Sequence, residues 1–109
     1  MMKRIAEIIR VKKDRLSEYV KLHNNIPDEV LVEIKKANIS NYSIFLDKET
    51  LFAYFEYTGD DFERDMSRMA KSEIIKIWWR KTDLCQEPFL DRDQGDWWKK
   101  LEQVFLWSK

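Results

Sequence analysis

The sequence predicts an α+β fold. Three observations carry this: strand-like segments at residues 4–11, 39–46 and 51–58, apolar stripes of helical spacing between them, and a length suited to one core. With 109 residues, 44% hydrophobic and 37% charged, the chain is expected to form one domain, residues 1–109. A domain of this size buries roughly two-thirds of the surface its unfolded chain exposes. The length excludes a two-domain enzyme.

Each element has its own signal. Ile5, Ile9 and Val11 fall on one side of residues 4–11 and Arg4, Ala6, Ile8 and Arg10 on the other, an approximate period of two. From Asp14, the expected cap, the period becomes helical, with Leu16, Tyr19, Val20 and His23 as the inward stripe. After Asn24-Asn25, Pro27, Asp28 and Glu29 have the character of a helix first turn, and Lys35-Lys36 suit its end. Val30, Leu31 and Ile34 are its expected core face. Residues 39–46 and 51–58, rich in aromatic and branched side chains, flank Asp47-Lys48-Glu49-Thr50 and read as a β-hairpin.

Gly59-Asp60-Asp61 opens a helical stretch carrying Phe62, Met66, Met69 and Ala70, and Ser72 caps a further helix through Ile74, Ile75, Trp78 and Trp79. Residues 82–99, with Pro88 and Gly95, show no period and read as a long functional or interface loop. Leu101 to Trp107 reads as a last strand. The order strand, helices, hairpin, helices, strand is that of the ferredoxin-like split β-α-β fold. That fold leaves one sheet face bare, and a bare face lined by Phe and Tyr calls for burial, most simply by a second copy in a homodimer.

Twenty Lys+Arg balance twenty Asp+Glu, so no long-range field gathers phosphates, and neither nucleic acid nor a membrane is an expected partner. No stretch approaches a membrane span or a signal peptide, and the lone Cys85 forms no internal disulfide. The expected compartment is the cytoplasm. One His and one Cys make no zinc site, no Gly-rich phosphate loop is present, and no metal or cofactor is expected.

The aromatic share, 14% with five Trp, is the feature to explain. His23 is the only histidine and the one side chain ready to exchange protons near neutral pH. It reads either as an acid/base residue or as a half-buried histidine satisfied by a backbone carbonyl. Tyr19, one turn earlier, shares its face. Tyr42 alternates with Ile44 and Leu46 on the more apolar face of its strand. Trp78 and Trp79 are about 100° apart on their helix, so they do not share one burial site. Either both are core, or one borders a groove where its flat indole suits the apolar face of a sugar. Trp97-Trp98 suits a dimer interface at least as well as a ligand site.

Glu18-Tyr19-x-x-x-His23-Asn24, Asn41-Tyr42-Ser43-Ile44-Phe45-Leu46-Asp47, Leu51-Phe52-Ala53-Tyr54, Trp78-Trp79-x-x-x-Asp83 and Leu101-Glu102-Gln103-Val104-Phe105 occur in this order. The ordered set, spanning nearly the whole chain, resembles the L-rhamnose mutarotases. The resemblance implies a dimeric ferredoxin-like α/β barrel that interconverts the anomers of L-rhamnose, or of a related deoxy sugar, without a cofactor. It assigns His23 as the acid/base residue and Tyr19, Tyr42, Trp78, Trp79 and Asp83 as contacts to a small neutral monosaccharide. In the proposed chemistry His23 protonates the ring oxygen and recovers the proton on closure, while Tyr19 or Tyr42 handles the anomeric hydroxyl. The chain departs from the family pattern at Leu22, where a basic residue is usual, and at Ile26-Pro27-Asp28-Glu29, which lacks a Trp. Two rivals use the same scaffold: a haem-degrading or quinone-forming monooxygenase, and a non-catalytic sugar-binding or interaction dimer.

Overall fold

The computed structural model describes residues 2–109. Strand β1 (Lys3–Val11) leads through a single 3₁₀ turn, Lys13–Arg15, into helices α1 (Leu16–Asn24) and α2 (Asp28–Lys36). The hairpin β2 (Ile39–Asp47) and β3 (Thr50–Tyr57) follows, then α3 (Phe62–Ala70), α4 (Glu73–Asp83) and two short strands, β4 (Gln86–Glu87) and β5 (Lys99–Lys100). The sheet is a curled antiparallel half-barrel in the order β2-β3-β1-β4, with β5 also paired to β1. This is the expected ferredoxin-like arrangement, with the edge of β1 opposite β3 shared between β4, at Arg10 and Val11, and β5, at Glu7 and Ile8.

The helices begin and end where local chemistry says they should. Pro27 disfavours helical backbone at Ile26 and so separates α1 from α2. Asn38 closes α2 in the left-handed conformation, φ 63°, that asparagine tolerates better than most residues. The Asp61 side chain accepts from the Arg64 backbone N–H at 3.1 Å and caps α3, and Ser72 Oγ accepts from that of Ile75 at 3.4 Å, the cap of α4 expected from sequence.

Register decides which strand residues face the helices. Opposed pairs share a face, so Ile5↔Phe55, Glu7↔Ala53 and Ile9↔Leu51 all point to the concave side, while Ala6↔Tyr54 and Ile8↔Phe52 point outward. In β2 the pairing jumps from Ser40↔Glu56 to Ser43↔Tyr54, so Asn41 and Tyr42 together oppose Phe55. This is a β-bulge, with Asn41 at φ 50°. It reverses the strand's parity. Ile39 faces inward before the bulge, and Tyr42 and Ile44 face inward after it.

The concave side meets the helices in three apolar groups. Ile9, Val11, Leu51 and Cys85 pack with Tyr19; Val30 and Ile75 pack with Trp78; Ala37, Ile39 and Phe55 pack with Phe62 and Met66. Burying an Ile of this kind stabilises the fold by roughly 1.5–3 kcal/mol. Beside the third group, Asp65 is fully buried but fully satisfied. Its carboxylate accepts from Tyr57 Oη at 2.5 Å, Asn38 Nδ2 at 2.9 Å and Arg68 at 2.8 Å. Gly59 crosses above the Tyr57 hydroxyl, where an added Cβ would lie only 2.3 Å from the oxygen.

Four expectations are corrected. Asp14 caps nothing: it sits in the 3₁₀ turn, and α1 starts without a side-chain cap. Val20 and Leu31 are exposed, and the half-buried Leu22 and Ile26 supply the packing instead. The loop after α4 contains a strand, β4, whose two residues are too few to show a period. The last strand is Lys99–Lys100, and residues 101–109 continue as an exposed arm after the Leu101 N–H bonds to the Ala6 carbonyl.

Candidate functional site

Between the concave sheet and the helices lies a cleft of about 650 Å³. It brings together every residue singled out above: Tyr19 and His23 from α1, Tyr42 from β2, and Trp78, Trp79 and Asp83 from α4. Trp97 and Trp98, which read equally well as interface, also line it, as do Glu7 and Gln86, which carried no sequence signal.

His23 is held on three sides. Its Nδ1 lies 3.0 Å from the Tyr19 carbonyl oxygen, its ring stacks at 4.3 Å on the Tyr19 ring, and it meets Trp78 edge-on at 5.3 Å. A carbonyl only accepts, so the bond requires the proton on Nδ1. Nε2 is then the free lone pair. Burial lowers the His23 pKa below its ordinary value, more than the carbonyl bond raises it. At neutral pH the ring is an uncharged base. The backbone-satisfied histidine and the acid/base histidine are therefore compatible, one on each nitrogen.

Tyr19 is held by a chain with a fixed direction. Indole nitrogen only donates, so Trp97 Nε1 gives its proton to Gln86 Oε1, at 2.7 Å. That orients the Gln86 amide, whose Nε2 donates to Tyr19 Oη at 3.4 Å. The hydroxyl is thereby an acceptor from Gln86, and its own proton is free to be given. Burial pushes the Tyr19 pKa up to about 12, so it keeps that proton. Tyr42 packs on Phe55 at 5.3 Å, and desolvation, with the Glu7 carboxylate nearby, raises its pKa as well.

The two adjacent tryptophans divide as their 100° offset requires. Trp78 is 9% exposed and belongs to the core group of Val30 and Ile75, showing only an edge to the cleft; Trp79 is 38% exposed and borders it. Asp83 stands at the exposed end of α4, with its pKa raised by desolvation. Among the described residues no group of three or more His, Cys, Asp or Glu side chains is placed to hold a metal ion, and no helix is long and apolar enough to cross a membrane.

Residues 4–107 match the sequence profile of a family described as L-rhamnose mutarotase. The L-rhamnose mutarotase of Oceanobacillus iheyensis is 44% identical over 81 residues, 72% of this chain and 75% of that one. That of Lactiplantibacillus plantarum is 33% identical over 108 residues, 95% of this chain and 97% of that one. The crystal structure of the L-rhamnose mutarotase of Formosa agariphila superposes with a TM-score of 0.76 at 28% identity, covering 97% of this chain and 99% of that one. Sequence profile, relatives and fold agree over almost the full length, and the chain belongs to the L-rhamnose mutarotase family, a family of sugar isomerases.

Proposed function

We propose that this chain, acting as one domain, interconverts the α and β anomers of L-rhamnose or a related deoxy sugar by opening and reclosing the ring. The observation that carries the reading is the pairing of a neutral His23 Nε2 with a Tyr19 hydroxyl whose proton is free, side by side in one cleft. Ring opening needs a proton taken from the anomeric hydroxyl and one given to the ring oxygen. His23 takes the first, since its lowered pKa leaves it unprotonated. This reverses the direction expected from sequence, in which His23 first protonates the ring oxygen. Tyr19 gives the second. The C1–ring oxygen bond breaks as the anomeric oxygen becomes a carbonyl, the aldehyde turns over, and closure on its other face returns both protons. Trp79 and the edge of Trp78 hold the apolar face of the sugar, Tyr42 closes the sheet side, and Asp83 lies at the mouth. The reaction is redox-neutral and uses no cofactor.

The functional unit in this reading is a cytoplasmic homodimer. The outer sheet face exposes Phe45, at 64%, beside Phe52, and the arm exposes Val104, Phe105 and Trp107, each above 70%. Apolar surface of this extent on a small domain calls for a partner, and a second copy supplies both a matching face and a matching arm.

Saturation-transfer NMR between the anomeric protons of L-rhamnose tests the activity, with L-fucose alongside. Wild-type protein should speed exchange well above buffer and His23→Ala should return it to the buffer rate. Equal rates for wild type, variant and buffer would end the proposal.

A further inference from the structure

Glu7 is out of place by the chemistry of its surroundings. It occupies the middle of the concave face of β1, between the buried Ile9 and the half-buried Ile5 on that same face, and is itself only 6% exposed. A carboxylate at such a position is costly unless it is paired or put to use. Lys100, its register partner on β5, pairs one oxygen: Nζ donates to Oε1 at 2.7 Å. Among the described residues Oε2 has no protein hydrogen bond, yet no buried side-chain oxygen is left unsatisfied, so Oε2 opens into the cleft that Glu7 lines. Ala53, opposite Glu7 on β3, contributes only a methyl group and leaves the floor low at that point.

The rest of the lining points to the ligand chemistry. Glu63, Asp83 and Asp96 join Glu7 on the cleft wall, against a single ammonium, Lys100, already engaged. Carboxylates want donors, and this wall favours a ligand rich in hydroxyls over one carrying a carboxylate or phosphate.

We propose that Glu7 is a specificity-determining residue of this cleft, its free oxygen accepting a hydrogen bond from one ring hydroxyl of a neutral sugar while Lys100 holds the carboxylate in place. The inference rests on the mutarotase reading for the identity of the sugar. It differs from that reading in what it needs: binding, not turnover.

The test is the affinity of the purified protein for L-rhamnose and its 2-, 3- and 4-deoxy analogues, read by tryptophan fluorescence and calorimetry, for wild type, Glu7→Gln, Lys100→Met and the Glu7→Gln/Lys100→Met pair. A lost hydrogen bond to a charged group weakens binding roughly ten- to hundredfold. Glu7→Gln should weaken L-rhamnose binding by about tenfold or more, and should cost nothing further on the one analogue that lacks the hydroxyl Glu7 takes. Lys100→Met should leave that pattern among the analogues in place. The double variant, free of any orphaned charge, should repeat it should Glu7→Gln alone fail to fold. An equal loss on every analogue, no loss on any, or Lys100→Met reproducing the whole effect overturns the proposal and makes Glu7 a tether for β5. Wild type that binds these sugars without speeding anomer exchange would sink the mutarotase reading and leave the Glu7 result standing. No binding of any of them overturns both.

Discussion

The Nδ1 of His23 donates to the carbonyl of Tyr19, one helical turn earlier, at 3.0 Å. The bond fixes the tautomer and aims Nε2 away from the helix. Because burial holds the His23 pKa below 6.5, the ring is neutral at physiological pH, the form that the proposed base requires. Anomer exchange should be flat above pH 6.5 and fall only as the pH drops through the lowered pKa; a rate that rises on acidification would contradict a base at this position. Stability carries the same sign. The charged form is disfavoured in the fold, so the histidine's contribution is fully present above its unfolded value and declines as pH falls.

The tryptophans should separate stability from binding. Trp78→Ala removes a core side chain and should cost about 3–5 kcal/mol in chemical denaturation. Trp79→Ala should leave the denaturation midpoint within experimental error while weakening sugar binding several-fold. Trp97→Phe keeps a ring but drops the donor that orients Gln86, and should lower the exchange rate more than it lowers affinity. An unchanged rate would show that the chain from Trp97 through Gln86 to Tyr19 is structural only.

Asp65 sets the acid limit of the fold. The Tyr57 hydroxyl, then the Asn38 amide, hold its carboxyl below the usual carboxylate range. Its contribution is therefore present above the ordinary value near ~3.9 and lost as pH falls further. Thermal melts from pH 6 to 2 should show Asp65→Asn starting several degrees lower than wild type, with the gap closing below pH 3. A gap that persists unchanged at pH 2 would mean the network acts through shape rather than charge.

The arm should control assembly. Phe105→Asp with Trp107→Asp should shift sedimentation from dimer to monomer while leaving the circular dichroism of the sheet and helices intact. Phe45→Asp on the outer face should act the same way. A species of unchanged mass in both variants would remove the arm and the outer face from the interface.

What the sequence made legible is what periodicity encodes. Tyr19 and His23 announce their shared face by an i, i+4 spacing, and the cap at Ser72 announces itself by residue type. Val20 and Leu31 mislead because short helices with wide apolar stripes leave the edge of the stripe undecided, and Leu22 and Ile26 take the core instead. Glu7 and Gln86 could not be read, and Trp97 read at least as well as an interface residue. Gln86 and Trp97 reach the cleft through two-residue strands and irregular backbone, which have no period at all. Glu7 shares the parity of Ile5, Ile9 and Val11, but a charge on that apolar side shows no use until the cleft above it is known.

Tyr42 faces the cleft because of a count rather than a pattern. With two residues of β2 set against one of β3 at Phe55, everything after Asn41 is turned over relative to Ile39. Loss of the codon for Asn41 would leave Tyr42 opposite Phe55 and facing inward, but flattening the bulge with Asn41 still in the strand would not. A regular strand of the same length, paired as before at Ile39, would swing Tyr42 and Ile44 to the outer face and carry Ser43 and Phe45 inward. Loss of the bulge alone would thus strip the cleft of its tyrosine and empty the proposed subunit contact of its phenylalanine, so site and assembly depend on one irregular residue in this strand.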